Sequence, residues 1–171
     1  MVYWILWFAF SVALLGFTLA RPHPYRFTRF LAFESILSLL FLNARGWFTD
    51  PFAIHQVISW VLLCGSAVLA GHGFWLIKSQ GQPAGDLEDT TELITSGAYR
   101  YIRHPLYASL ILLALGAYFK DPSALGAFLA STAGLGAFLT ARTEERFNLE
   151  RFGDPYREYM GRTKRFIPFI F

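Results

Sequence analysis

Apolar residues fill five long stretches of the chain, and polar residues gather between them. The stretches are Val2–Ala20, Phe27–Phe48, Ile54–Ile77, Pro105–Phe119 and Leu125–Ala141. A helix needs about 20 mostly apolar residues to cross a bilayer, so the fourth stretch suffices only if Arg103 and His104 lie at the interface. Pro122 is predicted at the first position of the fifth helix, where proline is favoured. The pattern predicts an all-α bundle of five transmembrane helices.

The positions of the basic residues predict how this bundle is oriented. If the five stretches cross the membrane in turn, all but two of the 15 lysines and arginines fall on one side, the exceptions being Arg45 and Lys120. Cytoplasmic loops are enriched in basic residues. We therefore expect an integral, multi-pass protein of a prokaryotic inner membrane, with its N-terminus outside and its C-terminus in the cytosol.

The composition narrows the class of protein further. Hydrophobic residues make up 54% and charged residues 16% of the 171 positions, against about 45–50% and 25% in soluble domains, which favours a chain embedded in the bilayer. A net charge of +3, without a basic stripe or a nucleic-acid motif, predicts no nucleic-acid partner. One cysteine, Cys64, forms no disulfide framework, and the four histidines lack the spacing of metal ligands.

The longest hydrophilic segment, residues 78–103, interrupts a chain that shows no internal repeat. Its first half is rich in turn residues and acids (residues 81–92), and Leu93–Tyr99 then returns to an apolar and aromatic character. We expect one membrane domain over residues 1–171, with three helices in residues 1–77 and two more in residues 78–171.

The last apolar stretch is predicted to continue as a helix beyond the membrane. Charged residues alternate with apolar ones after Ala141 until Gly153 and Pro155 stop the helix. Small residues at a spacing of four, Gly126, Ala130 and Gly134, favour close packing against a neighbouring helix.

Two polar clusters flank the last two apolar stretches. Arg103-His104-Pro105-Leu106-Tyr107 opens one helix, and Arg142-Thr143-Glu144-Glu145 follows the next. A short turn between antiparallel helices would bring both clusters to the same membrane face. Pro105 marks a helix start whose free N–H groups suit an anion. Two interpretations stand: lipid-headgroup anchors and a solvated charged face, or a ligand site.

Four polar residues lie inside the apolar stretches and mark functional hypotheses by default. They are Glu34, Asn43, Gln56 and His72. Glu34 is expected to pair with Arg29 or Arg45, and His72, between two glycines, is interpreted as a helix-packing residue.

The motifs of the second half, taken together, are specific. In order they are Leu93–Tyr99, Arg103–Tyr107, Glu144-Glu145, Phe152-Gly153, Tyr156, Tyr159 and Phe166-Ile167-Pro168. This series resembles the isoprenylcysteine carboxyl methyltransferase family, which is related in its motifs to the phospholipid N-methyltransferases. The resemblance covers roughly residues 75–171, and the first two helices carry no signature.

The resemblance implies an integral membrane methyltransferase that uses S-adenosyl-L-methionine and has no Rossmann domain. Its substrate would be a lipid or another hydrophobic small molecule that enters from the bilayer, and the soluble cofactor would bind at the cytosolic face in residues 78–171. The expected cofactor-binding residues are Thr91, Glu92, Leu93, Ile94, Tyr99, Arg103, His104, Pro105, Leu106, Tyr107 and Glu144. The expected catalytic residues are Arg142 and Glu145.

The sequence also departs from this family. Members that act on prenylcysteine place a substrate-binding arginine at the position of Thr140, whereas the arginine here is Arg142, and Ser109 stands at a frequent glycine. A prenylcysteine carboxylate is therefore a doubtful substrate. Two alternatives stay open: an NAD(P)H-dependent reductase of the sterol-reductase type, and a non-catalytic membrane subunit on the same scaffold. The oligomeric state is open.

Overall fold

A computed structural model describes residues 2–20, 23–82 and 90–171, and within these ranges the chain is helical without a named strand. Six α-helices follow in order: α1 (Val2–Ala20), α2 (Arg26–Leu42), α3 (Ile54–Gln80), α4 (Pro105–Tyr118), α5 (Ala124–Phe152) and α6 (Asp154–Arg162). Two short 3₁₀ helices cover Ala44–Gly46 and Gly97–Arg100. The acidic turn predicted around Asp86, Glu88 and Asp89 lies outside the described residues, as does Arg21.

Three of the described helices, α1, α3 and α5, are long and apolar enough to cross a membrane. The other two of the predicted five are shorter, with 17 residues in α2 and 14 in α4. At 1.5 Å per residue, α4 alone covers about 21 Å of a hydrocarbon core that is about 30 Å thick.

Two predicted helix boundaries were wrong, each for a local reason. The second helix ends at Leu42 instead of Phe48. The backbone departs from the helix at Asn43, whose side chain donates a hydrogen bond to the Ala117 carbonyl (2.7 Å). Pro122 is not the first residue of α5, since Ser123 caps that helix by accepting a hydrogen bond from the Gly126 N–H (3.1 Å). The predicted continuation of α5 to Gly153 is confirmed.

Close packing of α2 against α5 forms the centre of the bundle, and α4 packs against α2, α3 and α5. A Cβ atom on Gly136 of α5 would lie 2.7 Å from the Thr28 carbonyl oxygen, so the two backbones touch there. The predicted packing role of Gly134 was wrong, because nothing lies within 4 Å of its Cβ position. The contact follows the helical repeat through Ala133, Gly136 and Ala137 instead.

A buried polar layer closes the end of the bundle where α2 and α4 finish and α3 starts. Lys120, 1% exposed, donates a hydrogen bond to Gln56 Oε1 (3.0 Å) and lies 3.6 Å from the Trp60 ring centroid. Gln56 in turn donates to the carbonyls of Gly46 (2.6 Å) and Lys120 (3.0 Å). Burial lowers the pKa of Lys120. This layer ties the ends of three helices together, and it accounts for Gln56 as a structural residue.

Glu34 and His72 each make a contact between elements. Glu34 accepts a hydrogen bond from Ser11 of α1 (2.7 Å), which among the described residues takes the place of the predicted ion pair with Arg29 or Arg45. His72 of α3 is exposed, and it accepts a hydrogen bond from the Ala98 N–H (3.3 Å) in the segment before α4.

Candidate active site

A cavity of about 600 Å³ opens at the end of the bundle opposite the Lys120 layer. At this end α1, α3 and α5 finish and α2 and α4 begin, so each of these five helices contributes a terminus. The lining residues come from α1 to α6 and from the segment between α3 and α4. The volume lies within the range of about 300–1,000 Å³ that is usual for small-molecule sites.

The segment before α4 is anchored to α3 at a glycine. Gly97 has φ +56°, and a Cβ there would lie 2.6 Å from His72 Nε2, so only glycine fits this close approach. The next residues form the 3₁₀ helix Gly97–Arg100, which presents Tyr99 to the cavity. Burial raises the pKa of Tyr99, so its phenol is neutral at physiological pH.

A buried carboxylate, Glu145 of α5, joins two arginines behind the cavity wall. Arg103 Nε donates to Glu145 Oε1 (2.8 Å), and Arg165 donates to both Glu145 oxygens (3.2 and 2.6 Å). Arg103 also donates to the carbonyls of Met160 (3.3 Å) and Thr163 (2.5 Å). These bonds hold Arg103 in one orientation, with its side chain between α5 and the C-terminal segment.

His104 lies between Glu144 and Glu145 of α5 and faces the cavity. Its Nδ1 is 3.6 Å from Glu144 Oε2, and its Nε2 is 3.4 Å from Glu145 Oε1. Burial lowers the pKa of His104, although the hydrogen bond to Glu145 and the negative charge of that residue both act to raise it. The imidazole is therefore neutral at pH 7. Its ring lies 5.7 Å from the ring of Tyr107, one helical turn along α4.

The C-terminal segment packs back onto the start of α4. The Arg103 N–H donates to the Lys164 carbonyl (2.7 Å) and the His104 N–H to the Arg165 carbonyl (3.2 Å), around a parallel bridge between Ile102 and Lys164. Residues 154–171 therefore form one side of the site.

Helix α6 joins this segment to the segment before α4. The Tyr159 hydroxyl donates to the Tyr99 carbonyl (2.6 Å). Burial raises the pKa of Tyr156 to about 12 and that of Tyr159 further, so both phenols stay protonated at physiological pH.

The structure brings most of the predicted site residues to one cavity. Eight of them line it: Leu93, Ile94, Tyr99, Arg103, His104, Leu106, Tyr107 and Glu144. Within the described part of the chain no side chain caps the start of α4, where these residues converge, so the N–H groups of Leu106 and Tyr107 lack a helical partner there.

Five predicted site residues are not among those that line the cavity. Thr91 and Glu92 are exposed, and their N–H groups bond to the Gly81 carbonyl (3.0 and 3.4 Å) instead of facing inward. Pro105 is buried against α3, and Glu145 is held by the arginines. Arg142 is exposed, because two residues of helical rotation turn it away from Glu144. Its position gives no support to the predicted catalytic role.

Several lining residues were not predicted, on the first two helices and on the last two. Phe17, Arg29 and Phe33 line the cavity from α1 and α2, and Asn148, Phe152, Tyr156 and Tyr159 line it from α5 and α6. The spacing of Arg29 and Phe33, one helical turn apart at the start of α2, was the available signal. Arg165, which holds Glu145, gave no local signal.

Thr140, where prenylcysteine-modifying relatives have arginine, is fully buried between α5 and α2. Its hydroxyl is 2.8 Å from the Thr28 hydroxyl and donates to the Gly136 carbonyl (2.7 Å). At this position the chain therefore has a helix-packing contact and no charge.

Together, the helices and the cavity define an all-helical membrane protein with a polar, aromatic-lined site at one end of its bundle. The model of one protein family, phospholipid methyltransferase, matches residues 54–155, which is more than half of the chain. The chain therefore belongs to the phospholipid methyltransferase family of membrane methyltransferases. No curated protein matches the chain significantly.

The family match confirms the predicted membrane-methyltransferase relationship but differs from it in extent. It begins at Ile54, the first residue of α3, about 20 residues before the predicted start of the resemblance. It ends at Pro155, so Tyr156, Tyr159 and the C-terminal segment lie outside it, as do α1 and α2.

Proposed function

We propose that this protein transfers a methyl group from S-adenosyl-L-methionine to a lipid-like or other small hydrophobic acceptor. The observation that carries the proposal is the convergence of Tyr99, His104, Tyr107 and Glu144 on one cavity in a chain of this family. S-adenosyl-L-methionine would supply an electrophilic methyl group on a sulfonium cation.

The residues of the cavity suit this cofactor. Aromatic faces attract cations, and Tyr99 and Tyr107 both line the cavity. The Glu144 carboxylate complements an ammonium group. The uncapped start of α4, with Arg103 beside it, complements a carboxylate. These residues would bind the methyl donor and orient it, and the apolar side chains of Leu93, Ile94 and Leu106 would exclude water.

Glu145 acts in this proposal as a positioning residue. It is 4% exposed, and both of its oxygens accept hydrogen bonds from arginines. By holding Arg103, it orients the start of α4. The neutral His104 is the group best placed to accept or relay a proton, because it lies between Glu144 and Glu145 and faces the cavity.

The methyl acceptor would enter the cavity laterally from the bilayer, between α1 and α2. Phe17 and Phe33 line the cavity from α1 and α2, yet they are 51% and 37% exposed, so this wall faces the lipid. An apolar chain could lie along it while its head reached the methyl donor.

We further propose that α1 to α5 all cross the membrane, with the N-terminus outside, and that the cavity faces the cytosol. The ends of α2 and α4 and the start of α3 share the Lys120 layer, which supports an equal depth for these helices. Residues 1–77 would then carry three helices, and residues 78–171 most of the cofactor site. The placement of the basic residues supports the orientation.

Methyl transfer itself is the test. The purified protein would be placed in nanodiscs made from a total membrane lipid extract and given S-adenosyl-L-methionine labelled with tritium on its methyl group. We expect label in the organic phase, and at least a tenfold loss with Glu144→Gln. Glu150→Gln, an exposed change further along α5, should keep the activity. Transfer no higher than that of heat-inactivated protein would contradict the proposal.

A further inference from the structure

The short 3₁₀ helix that carries Tyr99 cannot fix its own orientation. Gly97–Arg100 contains four residues, and the backbone hydrogen bonds within this stretch run only between Ser96 and Ile102. An isolated helical turn of this length is not stable in water. Contacts with other elements therefore decide how the ring of Tyr99 lies in the cavity, where it would provide one of the aromatic faces for the methyl donor.

On the side of α3, two side chains hold the start of this 3₁₀ helix. The Ala98 N–H donates to His72 Nε2 (3.3 Å), and the Ser96 hydroxyl donates to Gln80 Oε1 (2.5 Å). His72 and Gln80 are both exposed, so water competes for these hydrogen bonds. Neither bond involves Tyr99 itself.

The contact on Tyr99 itself comes from α6. The Tyr159 hydroxyl lies 2.6 Å from the Tyr99 carbonyl oxygen, and it is the donor because a carbonyl only accepts. Tyr159 is 2% exposed, so little water competes for this bond. The hydroxyl proton of Tyr159 is therefore used by the backbone of Tyr99, although the Tyr159 side chain also lines the cavity.

Helix α6 is itself tied to the start of α4. The carbonyls of Met160 and Thr163 accept hydrogen bonds from the Arg103 guanidinium (3.3 and 2.5 Å), and the Thr163 hydroxyl donates to the Tyr159 carbonyl (2.6 Å). One end of α6 therefore connects two walls of the cavity, that of Tyr99 and that of Arg103. The hydroxyl of Tyr159 is the group through which this connection reaches Tyr99.

We propose that Tyr159 is a positioning residue that acts through Tyr99 and, on the basis of the proposed function, favours the sulfonium of the methyl donor over the uncharged thioether of its product. A cation is attracted to a ring when it lies over the ring face, within about 6 Å of the centroid. Displacement of the Tyr99 ring would therefore weaken binding of the sulfonium more than binding of the thioether. Tyr159 lies outside residues 54–155, the part of the chain that the family model matches.

The test compares the affinities of the detergent-purified protein for S-adenosyl-L-methionine and S-adenosylhomocysteine by isothermal titration calorimetry. Tyr159→Phe removes one hydroxyl and keeps the ring. We expect the affinity for S-adenosyl-L-methionine to fall about fivefold and the affinity for S-adenosylhomocysteine less than about twofold. An equal fall for both ligands would overturn the proposal, because a general loosening of the site would affect both alike.

A double-mutant cycle tests whether Tyr159 acts through Tyr99. Tyr99→Leu removes the aromatic face and should lower the affinity for S-adenosyl-L-methionine by itself. In that background Tyr159→Phe should have no further effect, because the ring that it positions is gone. Additive effects of the two substitutions would mean that Tyr159 contacts the methyl donor directly, which would overturn the proposal.

Tyr101→Phe is the matched control. It removes the same hydroxyl two residues after Tyr99, but Tyr101 is 48% exposed and is not among the lining residues. Both affinities should stay at the wild-type values. A fall in the affinity for S-adenosyl-L-methionine as large as that of Tyr159→Phe would overturn the proposal, since any hydroxyl near the segment would then have the same effect.

Hydrogen–deuterium exchange of the ligand-free protein separates this inference from the proposed function. Tyr159→Phe should speed amide exchange in residues 96–102, and Tyr101→Phe should leave it unchanged. Unchanged exchange in Tyr159→Phe would overturn the inference whether or not the protein binds a ligand. If the wild type binds neither ligand, the proposed function and the preference for the sulfonium fail, whereas the exchange result still decides whether Tyr159 holds Tyr99.

Discussion

Replacement of Glu145 by glutamine removes the charge that holds two arginines while it keeps the size of the side chain. Glu145 accepts hydrogen bonds at 2.8 Å from Arg103 and at 3.2 and 2.6 Å from Arg165. The NH2 end of the glutamine amide cannot accept a hydrogen bond, and it would meet a guanidinium with its own N–H groups. Both arginines would then lose their carboxylate partner.

The expected loss of stability in Glu145→Gln follows from the burial of the Glu145 carboxylate. Loss of one partner from a buried ion pair costs about 3–5 kcal/mol. The Arg165 side chain is 19% exposed and recovers some hydration, so we take the lower end, about 3 kcal/mol. On the scale of about 2–4 °C per kcal/mol for a chain of this size, Glu145→Gln should lower the melting temperature by about 6–12 °C.

Differential scanning fluorimetry of the detergent-purified protein measures this shift, and Glu158→Gln is its control. Glu158 pairs with Arg162 at 3.8 Å on the exposed face of α6, where an ion pair contributes about 0–1 kcal/mol. On the same scale, we expect that variant to melt within about 4 °C of the wild type. If Glu145→Gln were no less stable than Glu158→Gln, the assignment of Glu145 as a positioning residue would be wrong.

Two further predictions concern the pH dependence and the packing of the bundle. Because the pKa of His104 is lowered in the folded protein, the unfolded state takes up a proton below pH 6.5 before the folded state does. The free energy of unfolding should therefore be constant above pH 6.5 and decrease below that pH, by at most about 1.4 kcal/mol per pH unit. The melting temperature between pH 5 and 8 measures this slope, which His104→Gln should flatten and His55→Gln should leave unchanged. Gly136→Ala should destabilise the protein by about 1–3 kcal/mol, since the added Cβ would collide with the α2 backbone. Gly134→Ala adds its Cβ to open space and should be neutral or stabilising. Equal melting temperatures for the two variants would contradict the α2–α5 contact.

Much of the arrangement follows from residues that act locally. Hydrophobic stretches and turn residues predicted where the helices lie, and Gly153, with φ +60°, ends α5 as predicted. The two polar clusters converge on one cavity because α4 and α5 are antiparallel neighbours joined by a short turn. His104 and Glu144 therefore meet although 40 positions separate them.

The remaining features depend on which face of each helix packs against its neighbours. A single sequence does not reveal which face this is. Arg29 lines the cavity because the contact of Gly136 with the backbone of Thr28 orients α2, and that contact joins residues more than 100 positions apart. Arg165 reaches Glu145 only because the C-terminal segment pairs with residues 101–104. Thr91 and Glu92 turn outward because their N–H groups bond to Gly81.

Isothermal titration calorimetry of S-adenosylhomocysteine into the purified protein tests the central claim most directly. The cavity formed by Tyr99, His104, Tyr107 and Glu144 predicts saturable binding to a single site, at least tenfold weaker in Glu144→Gln and unchanged in Glu150→Gln. The absence of saturable binding to a wild-type protein that melts cooperatively would contradict the claim, and so would an equal loss of affinity in both variants.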